Sequence, residues 1–182
     1  NDVAVAVRVL RIAHAPSTTD HAPVADAQGR PRVVVLDLDV HQGNGTANIF
    51  AGDQDTYTFS MHGAKNFPFK KERSSRDVEL DDGTGDAEYL ALLDRHLDEV
   101  LDEARADLAF YLAGSDPYAG DRFGRLRLSK EGLQRRDRAV FAACRRRGLP
   151  VALAMSGGYA PDLADIAEIH STTVHELRVA CG

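Results

Sequence analysis

VVVLDLDVHQGNGT, residues 33–46, sets an apolar run directly against three ionisable side chains and then against a glycine-rich turn. A short run rich in β-branched residues, closed by Gly-Asn-Gly, reads as a strand buried on both faces. Residues two apart on an extended strand share a face, so Asp37, Asp39 and His41 are expected to project together from its carboxyl end. A single aspartate there would be solvated or would cap the next helix. Two carboxylates and an imidazole in alternation after a wholly apolar strand are a different case, because desolvated charges are costly unless paired or metal-bound. These three favour a divalent-metal site, which needs at least one further ligand from elsewhere in the chain.

Two more apolar runs repeat the pattern. LAFYLAG, Leu108–Gly114, ends in Ser115-Asp116-Pro117, and PVALAM, residues 150–155, ends in Ser156-Gly157-Gly158-Tyr159. Residues 56–61 (TYTFSM) alternate with high strand propensity, and residues 78–80 suit a short edge strand. Helical spacing falls between them. Tyr89, Leu90, Leu93, Leu97, Val100, Leu101 and Ala104 form one stripe over residues 86–105. Ser129 is a fair N-cap for a helix bearing Leu133, Val140, Phe141 and Cys144, and a helix from Pro161 carries Leu163, Ile166 and Ile169. A short helix is expected over residues 46–50. Residues 3–12 fit a helix or a strand by periodicity, and alanine-rich spacing with Arg8 and Arg11 favours the helix.

Strands alternating with helices indicate an α/β domain with a mostly parallel sheet flanked by helices. Sites in such sheets collect beyond the carboxyl ends of the strands, where Asp39 with His41, Asp116 and Tyr159 would converge. Residues 14–31, with three prolines, read as an exposed loop in which His14 and His21 are solvated. His96 is expected at the surface, and His170 and His175 exposed near the end. Phe67 and Phe69 flank Pro68 in the loop AKNFPFKKERSSR. They either fold back onto the body, the commoner arrangement, or line an opening.

The 182 residues suit one domain, and 43% hydrophobic with 27% charged residues is ordinary for a soluble globular chain. A net charge of -6 argues against direct nucleic-acid binding; Arg145, Arg146 and Arg147 read as the solvated last turn of a helix. Two cysteines, Cys144 and Cys181, lack metal-ligand spacing and suit a reducing compartment. No apolar run approaches membrane-spanning length and no leader pattern opens the chain, so a cytoplasmic protein is expected. The only methionines are Met61 and Met155, and Asn1 begins inside an apolar pattern, as expected of a piece of something longer.

Taken together, DLDVHQGNGTANIF, AGSDPYAGDRFGRLRLS and SGGY, in this order, resemble the zinc-dependent histone deacetylase family, most closely its class IV branch and bacterial relatives. The resemblance implies an arginase/deacetylase-like sheet, incomplete at its N-terminus, in a single catalytic domain. It implies Zn2+ held by Asp39, His41 and Asp116, and Tyr159 as the hydroxyl donor to the acyl oxyanion. Asp37 matches the carboxylate that orients a catalytic histidine, and with Ser60 it falls where K+ would bind. Phe67 matches a wall of the acyl-lysine tunnel, and Gly158 falls in its substrate-binding part. The implied reaction is metal-assisted hydrolysis of an acyl-lysine protein or an acylated small amine.

The chain departs from the family at one point. Relatives carry a tandem His-His as general base and acid upstream of the segment matching NDVAVA, and the seven histidines here include no adjacent pair. Two other readings stand beside the deacylase: a catalytically inactive metal-binding or interaction fragment, and a haloacid dehalogenase-type phosphatase, whose opening signature is also an apolar strand followed by Asp-x-Asp. The phosphatase normally has Thr or Val where this chain has His41.

Overall fold

In a computed structural model, residues 1–13 and 30–182 are described; the loop reading of residues 14–31, with His14 and His21, lies almost wholly outside them. The central strand is β1, Val33–Asp37, every residue of which is buried. It pairs in parallel with β2, Thr56–Gly63, on one side and with β4, Leu108–Gly114, on the other. β3, Arg76–Leu80, and β5, Val151–Ser156, complete the order β3-β2-β1-β4-β5, all parallel. A central parallel strand must be apolar on both faces, which is why this run shows no alternation.

Its two faces meet different layers. Val33 and Val35 pack with Val3, Ala4 and Val7 of α1, Asp2–Ala13, and with Phe50 beyond α2, Asn44–Ile49. Val34 and Leu36 face the larger core built by α3, Asp86–Ala104, and α4, Lys130–Arg146, with Tyr89, Leu93, Val100, Leu133 and Val140. α5, Leu163–Cys181, packs on α4 and contributes Ile169. The helix expected at the start of the chain is present, and the α3 stripe is buried as its spacing predicts. Ser129 caps α4 by accepting from the Gly132 N–H at 2.9 Å, an interaction typically worth ~1 kcal/mol. No described helix is long and apolar enough to cross a membrane.

Two expectations need correction. β1 stops at Asp37, so Asp39 and His41 lie on a bend beyond the sheet rather than along a strand. Side-chain bonds replace the ladder there: the N–H groups of Asp39 and His41 donate to the carboxylates of Asp37 and Asp39, at 3.2 and 2.8 Å. The arginines closing α4 are exposed as expected, and they also pair across to α3: Arg146 and Arg147 with Asp98, and Arg147 with Asp102. His170 is half-buried with its Nδ1 enclosed, and burial pushes its pKa down, whereas His175 is exposed as expected.

The two thiols differ in a way that can be checked. Cys144 is wholly buried on α4 and burial raises its pKa to about 11, while Cys181 is exposed. Less thiolate at a given pH means slower alkylation, so at pH 8 Cys144 is expected to react about 100-fold slower than Cys181. Mass spectrometry of the iodoacetamide-treated native chain should show one fast modification. Equal rates at both thiols would contradict the packing of α4.

Candidate functional site

The carboxyl ends of β1 and β4 deliver the three sequence-predicted metal ligands to one point. One ligand atom each from Asp39, His41 and Asp116 lie within 4.8 Å of one another, with both aspartates buried and His41 partly open. His41 Nδ1 sits 3.0 Å from Asp39 Oδ1 and 3.1 Å from Asp116 Oδ2. Asp116 also accepts from the Val40 N–H at 2.9 Å, and Asp39 accepts from the Ser156 hydroxyl at 2.7 Å. The remaining faces of both carboxylates are thereby oriented.

The electrostatics describe a site made for a cation. Hydrogen bonds to Asp116 and then Asp39 raise His41 to about 10, so the imidazole carries a proton between two carboxylates. Burial raises Asp116, and burial with the Asp39 charge raises Asp37 well above the carboxylate range. Burial also acts against the Asp39 carboxylate, but hydrogen bonds from His41 and Ser156 outweigh it and leave its pKa lowered. Three carboxyl groups this close are tolerated only with positive charge among them. Two carboxylate oxygens and an imidazole nitrogen form a donor set suited to Zn2+ and to several other divalent ions.

Glycine is required where the chain passes over this cluster. A Cβ on Gly157 would meet Asp116 Oδ2 at 2.3 Å and Asp39 Oδ2 at 2.6 Å, and its φ is +55°. Gly158, at φ +129°, leaves 2.1 Å between such an atom and Ser115 Oγ. Gly158 thus packs on Ser115 beneath the site and is not among the residues lining the cleft. These two glycines carry the chain past the carboxylates to Tyr159, which lines the cleft.

Above the cluster opens a cleft of about 610 Å³ lined by His41, Asn66, Phe67, Phe69, Phe123 and Tyr159, with Lys65 and Arg125 at its edge. Phe67 and Phe69 do not fold back onto the body: they are 62% and 86% exposed, with rings in edge contact at 6.2 Å. Phe123 makes a similar contact with Tyr159 at 5.2 Å. Sequence reasoning assigned no role to the residues that hold this rim. Asn66 donates to the Phe123 carbonyl and accepts from Arg125, while Lys71 donates to the carbonyls of Asn66 and Pro68. Asp121 accepts from the N–H groups of Phe123, Gly124 and Tyr159, linking that loop to the tyrosine. Gln42, next to His41, bonds both backbone groups of Glu72. The GDRFG motif contained Asp121, but nothing in the sequence showed its partner to be residue 159.

The residues proposed for a monovalent cation lie on paired positions of adjacent strands, Asp37 opposite Ser60. Ser60 Oγ is 3.0 Å from the Nδ1 of buried His62, and it accepts from Gly43 at 3.5 Å. A Cβ on Gly43 would lie 2.2 Å from Asp37 Oδ2.

A parallel α/β sheet with this cluster at its carboxyl edge is the arginase/deacetylase type of architecture. The backbone superimposes on acetylpolyamine aminohydrolase from Burkholderia pseudomallei with a TM-score of 0.75 at 22% identity, covering 97% of this chain and 49% of that one. It matches a histone deacetylase homolog from Aquifex aeolicus with a TM-score of 0.73 at 20% identity, covering 99% and 46%.

The chain belongs to the histone deacetylase family, whose domain profile, described as the histone deacetylase domain, matches residues 1–176. It is 46% identical over 140 residues to an uncharacterized protein of Picosynechococcus sp., covering 77% of this chain and 47% of the relative. To histone deacetylase 2 of Arabidopsis thaliana it is 35% identical over 131 residues, covering 70% and 34%. The chain therefore spans less than half the length of these two relatives. Membership places Asp37-x-Asp39 in the histone deacetylase family rather than among haloacid dehalogenase-type phosphatases.

Proposed function

We propose that this chain carries the metal-holding centre of a hydrolase that removes an acyl group from an acyl-lysine or an acylated small amine. The convergence of Asp39, His41 and Asp116 beneath an aromatic cleft is the observation that carries this reading. Asp39, His41 and Asp116 would hold the ion, with Zn2+ the expected occupant. When bound it would polarise the acyl carbonyl and acidify water. Family membership supports the reaction class.

The chain's own groups would then divide the work. Phe67, Phe69 and Phe123 would line the acyl stem, and the Tyr159 hydroxyl would donate to the acyl oxygen as negative charge gathers there. Asp37 and Ser60, with backbone carbonyls of the adjoining loop, would bind K+ behind the cluster and offset the burial of carboxylates. The general base and acid are proposed to come from a histidine pair outside residues 1–182, within one deacetylase-like domain of which this chain is a part. A chain that binds metal without turning over substrate, acting as an interaction fragment, is the second reading; the lack of adjacent histidines favours it.

Tyr159→Phe separates the steps. It is expected to lower kcat on an acetyl-lysine peptide by ~10²–10³-fold, the usual effect of removing one oxyanion donor, with zinc content unchanged. Zinc content measured by mass spectrometry on the wild-type chain tests the reading itself. A chain that takes up no divalent metal refutes it.

A further inference from the structure

Arg136 lies on α4, in the run QRRDRAV, yet none of its side chain reaches solvent. Burying a guanidinium is costly unless it is paired with a countercharge and hydrogen-bonded, so its partners indicate what it is for. Asp137 supplies the countercharge, accepting from Arg136 Nε at 2.8 Å and lying equally close to Nη2. Asp137 is itself held by the hydroxyls of Tyr111 and Thr173. Arg136 Nη1 is committed elsewhere. It donates to the carbonyl of Leu38 at 3.2 Å and to that of Gly114 at 2.7 Å.

Those two carbonyls sit where the sheet opens into the site. The Leu38 N–H donates to Leu112 O at 3.1 Å, but past this bond the backbone bonding between the two chains ends. The Val40 N–H turns instead to the Asp116 carboxylate, while the Ser115 N–H continues the β4–β5 ladder to Ser156 O. Leu38 precedes Asp39, and Gly114 is two residues before Asp116. The two strands stay close here, a Cβ on Gly114 lying 2.8 Å from Asp39 Cα, but with the ladder ended both carbonyls lack backbone partners. One guanidinium nitrogen, with two N–H groups, bridges both.

We infer that Arg136 is a positioning residue: it clamps the ends of β1 and β4, where their ladder stops, at the separation that brings Asp39 and Asp116 together. The inference rests on the metal-holding reading of those two aspartates. Lysine cannot substitute, because its ammonium lacks the planar fork that spans both carbonyls while bonding Asp137.

The test uses the full chain in three forms: wild type, Arg136→Lys, and Thr173→Val, which loosens the same buried network without touching either carbonyl bond. In the metal-free wild type, native-state hydrogen exchange is expected to place the Val40 and Ser115 amides with the slow amides of β1. Arg136→Lys should speed those two by about tenfold or more relative to Phe59 and Met61 of β2, whereas Thr173→Val should shift all amides together. With Co2+ as probe, Arg136→Lys should weaken affinity by about 10–100-fold and shift the visible absorption, and Thr173→Val should do neither. Fast exchange of Val40 and Ser115 in the wild type overturns the clamp, as does equal cobalt affinity in the two variants. A wild-type chain that takes up no cobalt fails the metal reading alone, since the exchange data still decide the clamp.

Discussion

Asp116→Ala is expected to abolish divalent-metal binding, weakening zinc or cobalt affinity by at least about 10³-fold. Structural zinc binding is worth ~10–16 kcal/mol in small sites, and removing one of three protein donors forfeits a large part of that. The position also tests how the site is assembled. Asp116 is wholly buried, holds the Val40 N–H, and shares the His41 proton with Asp39, so its loss disturbs both orientation and charge. Asp116→Asn keeps the acceptor for Val40 and removes the charge, separating the two contributions. Metal content after dialysis, followed by chelator competition, gives the measurement. The rise in Tm that ligand linkage confers on the wild type when zinc is added should vanish in both variants. Retention of one zinc by Asp116→Ala would place the ion elsewhere and sink the assignment of all three ligands.

Most of the fold was legible because its strongest constraint is local. A parallel strand covered on both faces must be continuously apolar, and residues 33–36 could hardly be anything else. The helices of α3 and α4 followed from spacing and from Ser129. The meeting of Asp39, His41 and Asp116 at one sheet edge followed from a topological rule about strand ends, while their assignment as a ligand trio came from the family resemblance.

What was not legible depends on partners far apart in sequence. Periodicity places residue 136 on a helix, but only the packing of α4 against the ends of β1 and β4, where two carbonyls lack ladder partners, shows why an arginine belongs inside. Asp121 is one acid in a polar loop until Tyr159 is brought to it from 38 residues away. The rule that Asp39 and His41 follow a strand gave the right convergence by the wrong geometry: carboxylates bonding nearby N–H groups fold residues 38–41 into a bend. Phe67 and Phe69 stand open because Asn66 and Lys71 fix the loop backbone, a restraint invisible in composition.

Acyl-lysine hydrolysis by residues 1–182 is expected to run ~10²–10⁴-fold below that of a relative containing the histidine pair, the range over which a general acid–base group usually acts. The shortfall has a structural reason. His41 is held between two carboxylates, and His62 is buried against Ser60. His170 is half-enclosed on α5, with an enclosed Nδ1, and does not line the cleft; His96 and His175 lie on helices and do not line it either. No described histidine other than His41 lines the cleft, so proton transfer there falls to water. Free imidazole, small enough to enter an open cleft of about 610 Å³, should therefore accelerate turnover in proportion to its concentration. The acceleration should follow the neutral base, rising with pH through the imidazole pKa, and should be absent in Asp116→Ala. A saturating initial rate equal to that of the longer relatives, with no response to imidazole, would mean that a group already in this chain moves the proton. Partial rescue would instead locate the missing function in the acid–base step and leave the metal centre and the Tyr159 hydroxyl as the parts this chain supplies.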